Sequence, residues 1–336
     1  MADDRKRTTQ RDVARQAGVS QATVSLVLGG APVATTPEVA ERVLEIARRL
    51  GYARNRSGHA LRTRRTLTFA VVVPDICNPF FPSLLKGVQG VAEEAGYDVI
   101  AINTEGEAAR ERRVLQWGLE GRVDGVIGVF FALRAEEFKP LIEAGLGVVR
   151  VESTFKTSGE LPLDNVYVDN RAAAKAAVRY LLDRGHRRIA MIAGPDGPRA
   201  ERAAGYSIAL AERGLAPDIV DGDAFNEVGG RDAALSILAR AERPTAIFAA
   251  NDLMAIGAME ALRLSGVKIP LEMAVVGFDD IFIARLVSPS LTTVSQFQDE
   301  IGATAARILL RRLRGGEKSG GTTLQMPYRL IERESA

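Results

Sequence analysis

The stretch TQRDVARQAGVSQATVSLVL, residues 9–28, decides how the chain is read. It reads as two short helices broken at Gly18. Thr9 stands as N-cap with Asp12 three residues on, and Val13, Ala14 and Ala17 recur at helical spacing. Gly18 tolerates the positive φ of a tight turn. Ser20 caps the second helix, and Val24, Val27 and Leu28 share one face of it. Gln21, Ala22, Thr23 and Ser25 are left near its outward, N-terminal end. Small and polar side chains at that end of a second helix suit the major groove of a DNA duplex.

A plain αα-hairpin has the same pattern, so the flanking text decides between them. Thr36-Pro37-Glu38 is a helix start, with Thr36 as cap and Pro37 at the first helical position. Val39, Val43, Leu44, Ile46, Ala47 and Leu50 pattern a third helix closed by Gly51. An arginine-rich linker, residues 52–66, follows. Residues 1–66 hold 13 Lys/Arg and 6 Asp/Glu, a net charge of +7. The rest carries 31 basic and 36 acidic residues, a net of −5, which is concealed in the total of +2. A basic head on an acidic body fits a polyanion-binding module joined to a globular domain.

The chain has 336 residues, 46% of them hydrophobic, enough for two or three domains with a sizeable core. Cys77 is the single cysteine, so an intramolecular disulfide is impossible and a reducing compartment fits. His59 and His186 are the only histidines, too few for a His/Cys metal cluster. The N-terminus MADDRKRTTQ has no apolar signal region, and no apolar run approaches the ~20 residues of a membrane span. A cytoplasmic, nucleoid-associated protein without cofactor or metal is expected.

From Leu67 the text alternates between strands and helices. Thr68–Val73 (TFAVVV) is a continuous β-branched run, as in a buried parallel strand. Helices over 81–95, 107–119 and 135–144 separate it from strands at 98–102, 125–129 and 147–151. A second series runs from a strand at 165–168 to one at 273–276. A strand, a long helix over 298–313 and a last strand close the chain. Repeated βα alternation predicts an α/β fold with parallel sheets covered by helices on both faces. Two winds of five strands predict two lobes. Ligands in such sheets bind beyond the carboxyl ends of the strands. Those ends carry Asp75, Phe80 and Phe81 after TFAVVV, then Glu152, Arg202, Asn251 and Asp279 after later strands, with Phe225 nearby. Planar polar groups beside aromatic rings suit a small polyhydroxylated ligand.

No enzyme signature is evident. Pro195 removes an amide donor from the glycine-bearing turn at 193–197, and no Gly-Lys-Ser/Thr follows to hold a phosphate. Asp279 and Asp280 are adjacent and point apart, unlike a glycosidase pair. No nucleophile elbow or His-based triad is visible. Catalytic residues: none. The competing classes are a solute-binding protein, which predicts a signal peptide and no head, and a sugar-processing enzyme.

Taken in order, DVARQAGVSQATVSLVL, Gly51-Tyr52 with Asn55, Ala60-Leu61, Asn78-Pro79-Phe80-Phe81, Ala193-Gly194-Pro195, Asn251-Asp252, VGFDD at 276–280, LTTV at 291–294 and ERES at 332–335 resemble the LacI/GalR family of transcriptional repressors along nearly the whole chain. The resemblance implies a helix-turn-helix headpiece (1–51), a hinge (52–66) and a two-lobed, periplasmic-binding-protein-like body crossed three times by the chain. The lobes are expected at 67–162 with 295–319 and at 163–294 with 320–333, with crossings near 161–164, 290–296 and 318–322. It implies DNA contacts by Thr9, Ser20, Gln21, Ala22, Thr23, Ser25 and Leu26, and by Asn55, His59, Ala60 and Leu61 in the hinge. Leu61 matches a leucine that wedges into the minor groove. The family often has an arginine where Leu26 stands, so guanine readout there is lost. Arg202, Asn251 and Asp279 match effector-binding positions, Gln296 and Glu152 match positions that sometimes bind, and Phe225 stands where an aromatic is common. The implied protein is a dimeric repressor of a near-palindromic operator with a sugar effector. A purine or another metabolite is the alternative.

Overall fold

The computed structural model describes residues 8–29, 35–52, 65–156, 161–195, 197–315 and 320–336. The chain forms two compact units, Met1–Thr66 and Leu67–Ala336.

In the first unit, α1 (Gln10–Ala17), α2 (Gln21–Leu28) and α3 (Pro37–Arg49) enclose a small core. Val13, Ala14, Ala17, Val24, Val27, Val43, Ile46 and Ala47 are buried in it. Gly18 adopts φ 64°, the left-handed turn expected of it. Thr36 is extended as a cap residue should be, but its hydroxyl makes no cap bond to α3. Leu44, assigned to the inner face by spacing, is instead 40% exposed.

The second unit contains two parallel sheets. The first has strand order β11-β5-β4-β3-β1-β2, with β1 Thr68–Val73, β2 Asp98–Asn103, β3 Gly125–Gly128, β4 Gly147–Glu152, β5 Asp164–Val168 and β11 Thr323–Met326. The second has order β7-β6-β8-β9, with β6 Ile189–Ala193, β7 Ile219–Asp221, β8 Ala246–Ala249 and β9 Ala274–Val276. Helices α4 (Phe80–Glu94), α5 (Ala108–Leu119), α6 (Lys139–Glu143) and α11 (Gln298–Leu313) accompany the first sheet. Helices α7 (Asn170–Asp183), α8 (Arg199–Ala211), α9 (Glu227–Leu238) and α10 (Asp252–Leu264) accompany the second. A short antiparallel pair, β10 (Thr293–Ser295) with β12 (Arg329–Ile331), lies beside β9.

The β1 run is apolar throughout because both faces are covered. Phe69, Val71 and Val73 join the core with Phe81, Leu84 and Val88 of α4, while Ala70 and Val72 join Val114, Phe138 and Leu141 on the other side.

Two boundaries differ from those expected. Strand counting and the resemblance put 163–294 with 320–333 in the second lobe, yet residues 164–168 pair in parallel with β4, and 323–326 pair with them, in the first sheet. The link from β4 to β5 holds no helix among its described residues, so a count that opens a new wind with each strand fails there. Asp164 fixes the arrangement. Its buried carboxylate takes a forked ion pair from Arg312 of α11, at 2.5 and 2.7 Å, and accepts from the amide of Thr322 at 2.8 Å. The chain therefore passes between sheets after β5, after β10 and after β11.

Helices α4 and α11 touch through backbone. A Cβ on Gly302 would overlap the carbonyl oxygen of Leu84, and one on Gly87 would overlap that of Asp299. Gly302→Val should therefore force the helices apart and destabilise the body by on the order of 3 kcal/mol or more. Urea unfolding monitored by far-UV circular dichroism measures this, and an unchanged midpoint would refute the packing.

Candidate functional site

The head presents one face of α2. Ser20, Gln21 and Ala22 are exposed, Thr23 and Ser25 are half-buried, and Leu26 is 47% exposed. Thr9 closes a capping box with Asp12, whose carboxylate accepts from the Thr9 amide at 3.0 Å and from its hydroxyl at 2.7 Å. The Ser20 hydroxyl accepts from the Thr23 amide at 3.1 Å and shares a hydrogen bond with the Thr23 hydroxyl at 2.9 Å. The hydroxyls of Thr9, Ser20 and Thr23, three of the residues expected to contact DNA, are thus already engaged in local hydrogen bonds at the helix starts. Gln21, Ala22 and Leu26 make no such local bond, and they are the outward side chains of the helix. Asn55, His59, Ala60 and Leu61 lie outside the described residues.

In the body, the carboxyl ends of the strands border a cavity of about 730 Å³, within the ~300–1,000 Å³ range of small-molecule sites. Both sheets contribute: Asp75 follows β1, Glu152 ends β4, Asp223 follows β7, Asn251 follows β8 and Asp279 follows β9. All eight residues assigned to an effector (Phe80, Phe81, Glu152, Arg202, Phe225, Asn251, Asp279 and Gln296) line it.

Arg202 on α8 is the hub. Its side chain is buried, and the guanidinium stacks 3.8 Å from the ring centroid of Phe278. Nε donates to Asn170 Oδ1 at 2.7 Å, Nη1 to the Ala250 carbonyl, and Nη2 to Asp279 Oδ1 at 3.2 Å. The same carboxylate oxygen accepts from Gln296 Nε2 at 2.6 Å. Gln298 holds the Asp279 carbonyl at 2.7 Å. Asp279 and Asp280 adopt φ 121° and 57°, in the left-handed region costly for residues with a Cβ. Those contacts, with the Arg333–Asp280 ion pair at 2.6 Å, hold the strained corner.

Behind Asp279 lies Asp252, fully buried at the start of α10. It accepts from the Ile281 amide at 2.8 Å and from the Thr293 hydroxyl at 2.5 Å. Burial pushes its carboxyl up to about 7, and the Asp279 charge adds to this. Burial likewise pushes Asp279 up to about 6, against the pull of the Arg202 guanidinium and the Gln296 amide.

The other assigned residues are placed as follows. Asn251 is the N-cap of α10: Oδ1 accepts from the Met254 amide at 2.8 Å, and Nδ2 donates to the Phe225 carbonyl at 3.0 Å. Its amide thus braces the loop that carries Phe225. The Phe225 ring covers the backbone of Gly194, leaving no room for a Cβ there. Glu152 is held between Arg150, at 3.3 Å, and Lys156, at 2.6 Å. Phe80 and Phe81 are each 8% exposed and belong mainly to the core.

Two contributors escaped the sequence reading. Phe131, 39% exposed, lies at the cavity against Gly106 on the first-sheet side and Gly197 on the second, where a Cβ would come within 2.7 Å of its ring. Its loop is held by Glu111, whose buried carboxylate accepts from the amides of Phe131, Ala132 and Leu133 at 2.8–3.1 Å. A carboxylate inside an otherwise helical stretch was the available signal, but charge runs on helices are common. Asn170 is the other, and it orients Arg202 from the first turn of α7.

A capped helix-turn-helix head and a body of two parallel sheets with a cavity at their strand ends define a DNA-binding regulator with a periplasmic-binding-protein-like domain. Residues 9–55 match the lacI family of bacterial regulatory proteins, and residues 178–336 match the periplasmic binding protein-like domain. Catabolite control protein A of Priestia megaterium is 34% identical over 330 residues, 96% of this chain and 98% of that protein. The solved complex of the transcriptional regulator CelR with cellobiose is 32% identical with a TM-score of 0.71, covering 98% of this chain and 100% of that one. The lac repressor dimer bound to operator and the anti-inducer ONPF aligns with a TM-score of 0.85 at 25% identity, covering 98% and 99%. The chain belongs to the lacI family of transcription regulators.

The two raised carboxyls make a pH prediction. An unfolded Asp titrates near ~3.9, so between about pH 4 and 7 the folded state holds more protons, and the pair's contribution to stability falls as pH rises through that window. His186 works oppositely, since burial lowers its pKa. Comparison with a variant cancels that effect. The melting temperature of the wild type relative to Asp252→Asn should fall between about pH 5 and 7. A pH-independent difference would refute it.

Proposed function

We propose that this regulator binds a near-palindromic operator as a homodimer and responds to a sugar held in the cavity between its sheets. The solvent-facing side of α2 supports the DNA part. Gln21 and Ala22 meet base edges, Leu26 touches a thymine methyl, Ser20, Thr23 and nearby backbone amides set register on phosphates, and Thr9 and Ser25 complete the DNA-facing surface. One such head makes too few base contacts for operator specificity, and a two-fold pair doubles them. The segment 52–66, with Asn55, His59, Ala60 and Leu61, acts as the hinge, with Leu61 wedging at the centre of the site.

The observation that carries the ligand part is the Arg202–Asp279–Gln296 cluster. It places donors and an acceptor at the floor of a cavity bordered by the rings of Phe131 and Phe225. Hydroxyls exchange into such a network, and the rings take the C–H face of a sugar. The network joins strand ends of the second sheet to the β10–α11 passage, so a bound ligand alters the angle between sheets and, through it, hinge spacing. Operator and ligand are then coupled reciprocally.

Two measurements test this. Fluorescence anisotropy with symmetric duplexes should show affinity that falls steeply with salt, and Leu61→Ala should weaken specific binding far more than non-specific binding. Equal loss on both would remove the hinge assignment. A thermal-shift screen of sugars and nucleosides should give hits that vanish in Arg202→Ala. Hits that persist there would move the site elsewhere.

A further inference from the structure

We infer that the cavity selects ligands without negative charge, so that it takes an unphosphorylated sugar and rejects sugar phosphates, sugar acids and nucleotides. This rests on the sugar reading above and adds the charge class.

The charge at the cavity wall is set by the groups that face the ligand and by the partners each already has. Among the described residues, five carboxylates line the cavity: Asp75, Glu105, Glu152, Asp223 and Asp279. The cations among them are Arg202 and Lys156. Both are committed. Arg202 faces Asp279 at 3.2 Å, with its other contacts on Asn170 and the Ala250 carbonyl. Lys156 sits 2.6 Å from Glu152, which also faces Arg150 at 3.3 Å, and Glu105 is paired with Arg110 at 2.8 Å. The guanidinium keeps N–H groups beyond those three bonds, because it carries five. Its net charge, however, is matched by Asp279 at contact distance. A neutralised guanidinium can still donate to a hydroxyl, but it offers a phosphate no uncompensated charge.

Among the described residues, the two lining acids with no ion pair are set on opposite sides. Asp75 follows β1 of the first sheet and accepts from the Cys77 amide at 2.9 Å, while Asp223 follows β7 of the second sheet and lies exposed. An anionic ligand would meet a carboxylate from either sheet, in a partly enclosed space where like charges are poorly screened. Discrimination of this kind acts against the wrong ligand and costs a neutral one little.

The test is calorimetry or thermal shift on the full chain with matched pairs: ribose with ribose 5-phosphate, glucose with glucose 6-phosphate, and a nucleoside with its 5′-monophosphate. The neutral member of a binding pair should bind at least about tenfold more tightly than its phosphorylated partner. Asp75→Asn with Asp223→Asn should narrow that gap. A phosphorylated member that binds as well as its neutral partner, or better, would overturn the inference while leaving a sugar site in place. A nucleoside hit with no sugar hit would overturn the sugar reading and leave the charge selection standing. Absence of any hit would overturn both.

Discussion

The body depends on burying one guanidinium. Arg202 could not remain charged inside the second lobe without partners, because an unpaired buried ion costs several kcal/mol. Each partner comes from a different element: Asn170 from the start of α7, the Ala250 carbonyl from the end of β8, and Asp279 from the corner after β9. Phe278 supplies the ring beneath. One side chain therefore registers three neighbouring strand and helix ends against each other. The strained backbone at Asp279 and Asp280 is tolerated because the pair, Gln298 and Arg333 together determine it.

The same cluster reaches toward the other sheet. Gln296 and Gln298 stand where the chain leaves β10 for α11, and α11 packs against α4 with almost no side chain between them at Gly302 and Gly87. The Asp279 carboxylate is thus bonded to a residue at one of the three passages between sheets. On the other flank, Glu111 fixes the Phe131 loop and the ring touches both sides. A ligand that bears on both places would press on the angle between lobes, the kind of two-state element a regulator needs.

The head follows a different logic. Its core is small, so local capping does much of the structural work: the Thr9–Asp12 box, the Ser20 cap and the left-handed Gly18 define where the helices start and stop. Capping takes up the hydroxyls of Thr9, Ser20 and Thr23. Gln21, Ala22 and Leu26 remain as outward side chains of α2, and Leu26 makes this surface less polar than an arginine at that place would.

Residue order alone determined the local features: helix caps, the buried β-branched strands, the basic head on an acidic body, the strand-end positions of Asp279 and Asn251, and the first-turn position of Arg202 in the helix after β6. These depend on spacing and on neighbours within a few residues, which a sequence displays directly. It also showed the family pattern from residue 12 to residue 335. The tertiary structure decided what depends on distant partners. Asp164 binds Arg312, 148 residues away, and that pair assigns β5 and β11 to the first sheet against the strand count. Asn251 proved to brace a loop, Glu152 proved to be held between two cations, and Phe131 came to the cavity on a loop fixed by a distant carboxylate. No local pattern contains such information, because the energy of a buried charge depends on which groups the fold brings to it.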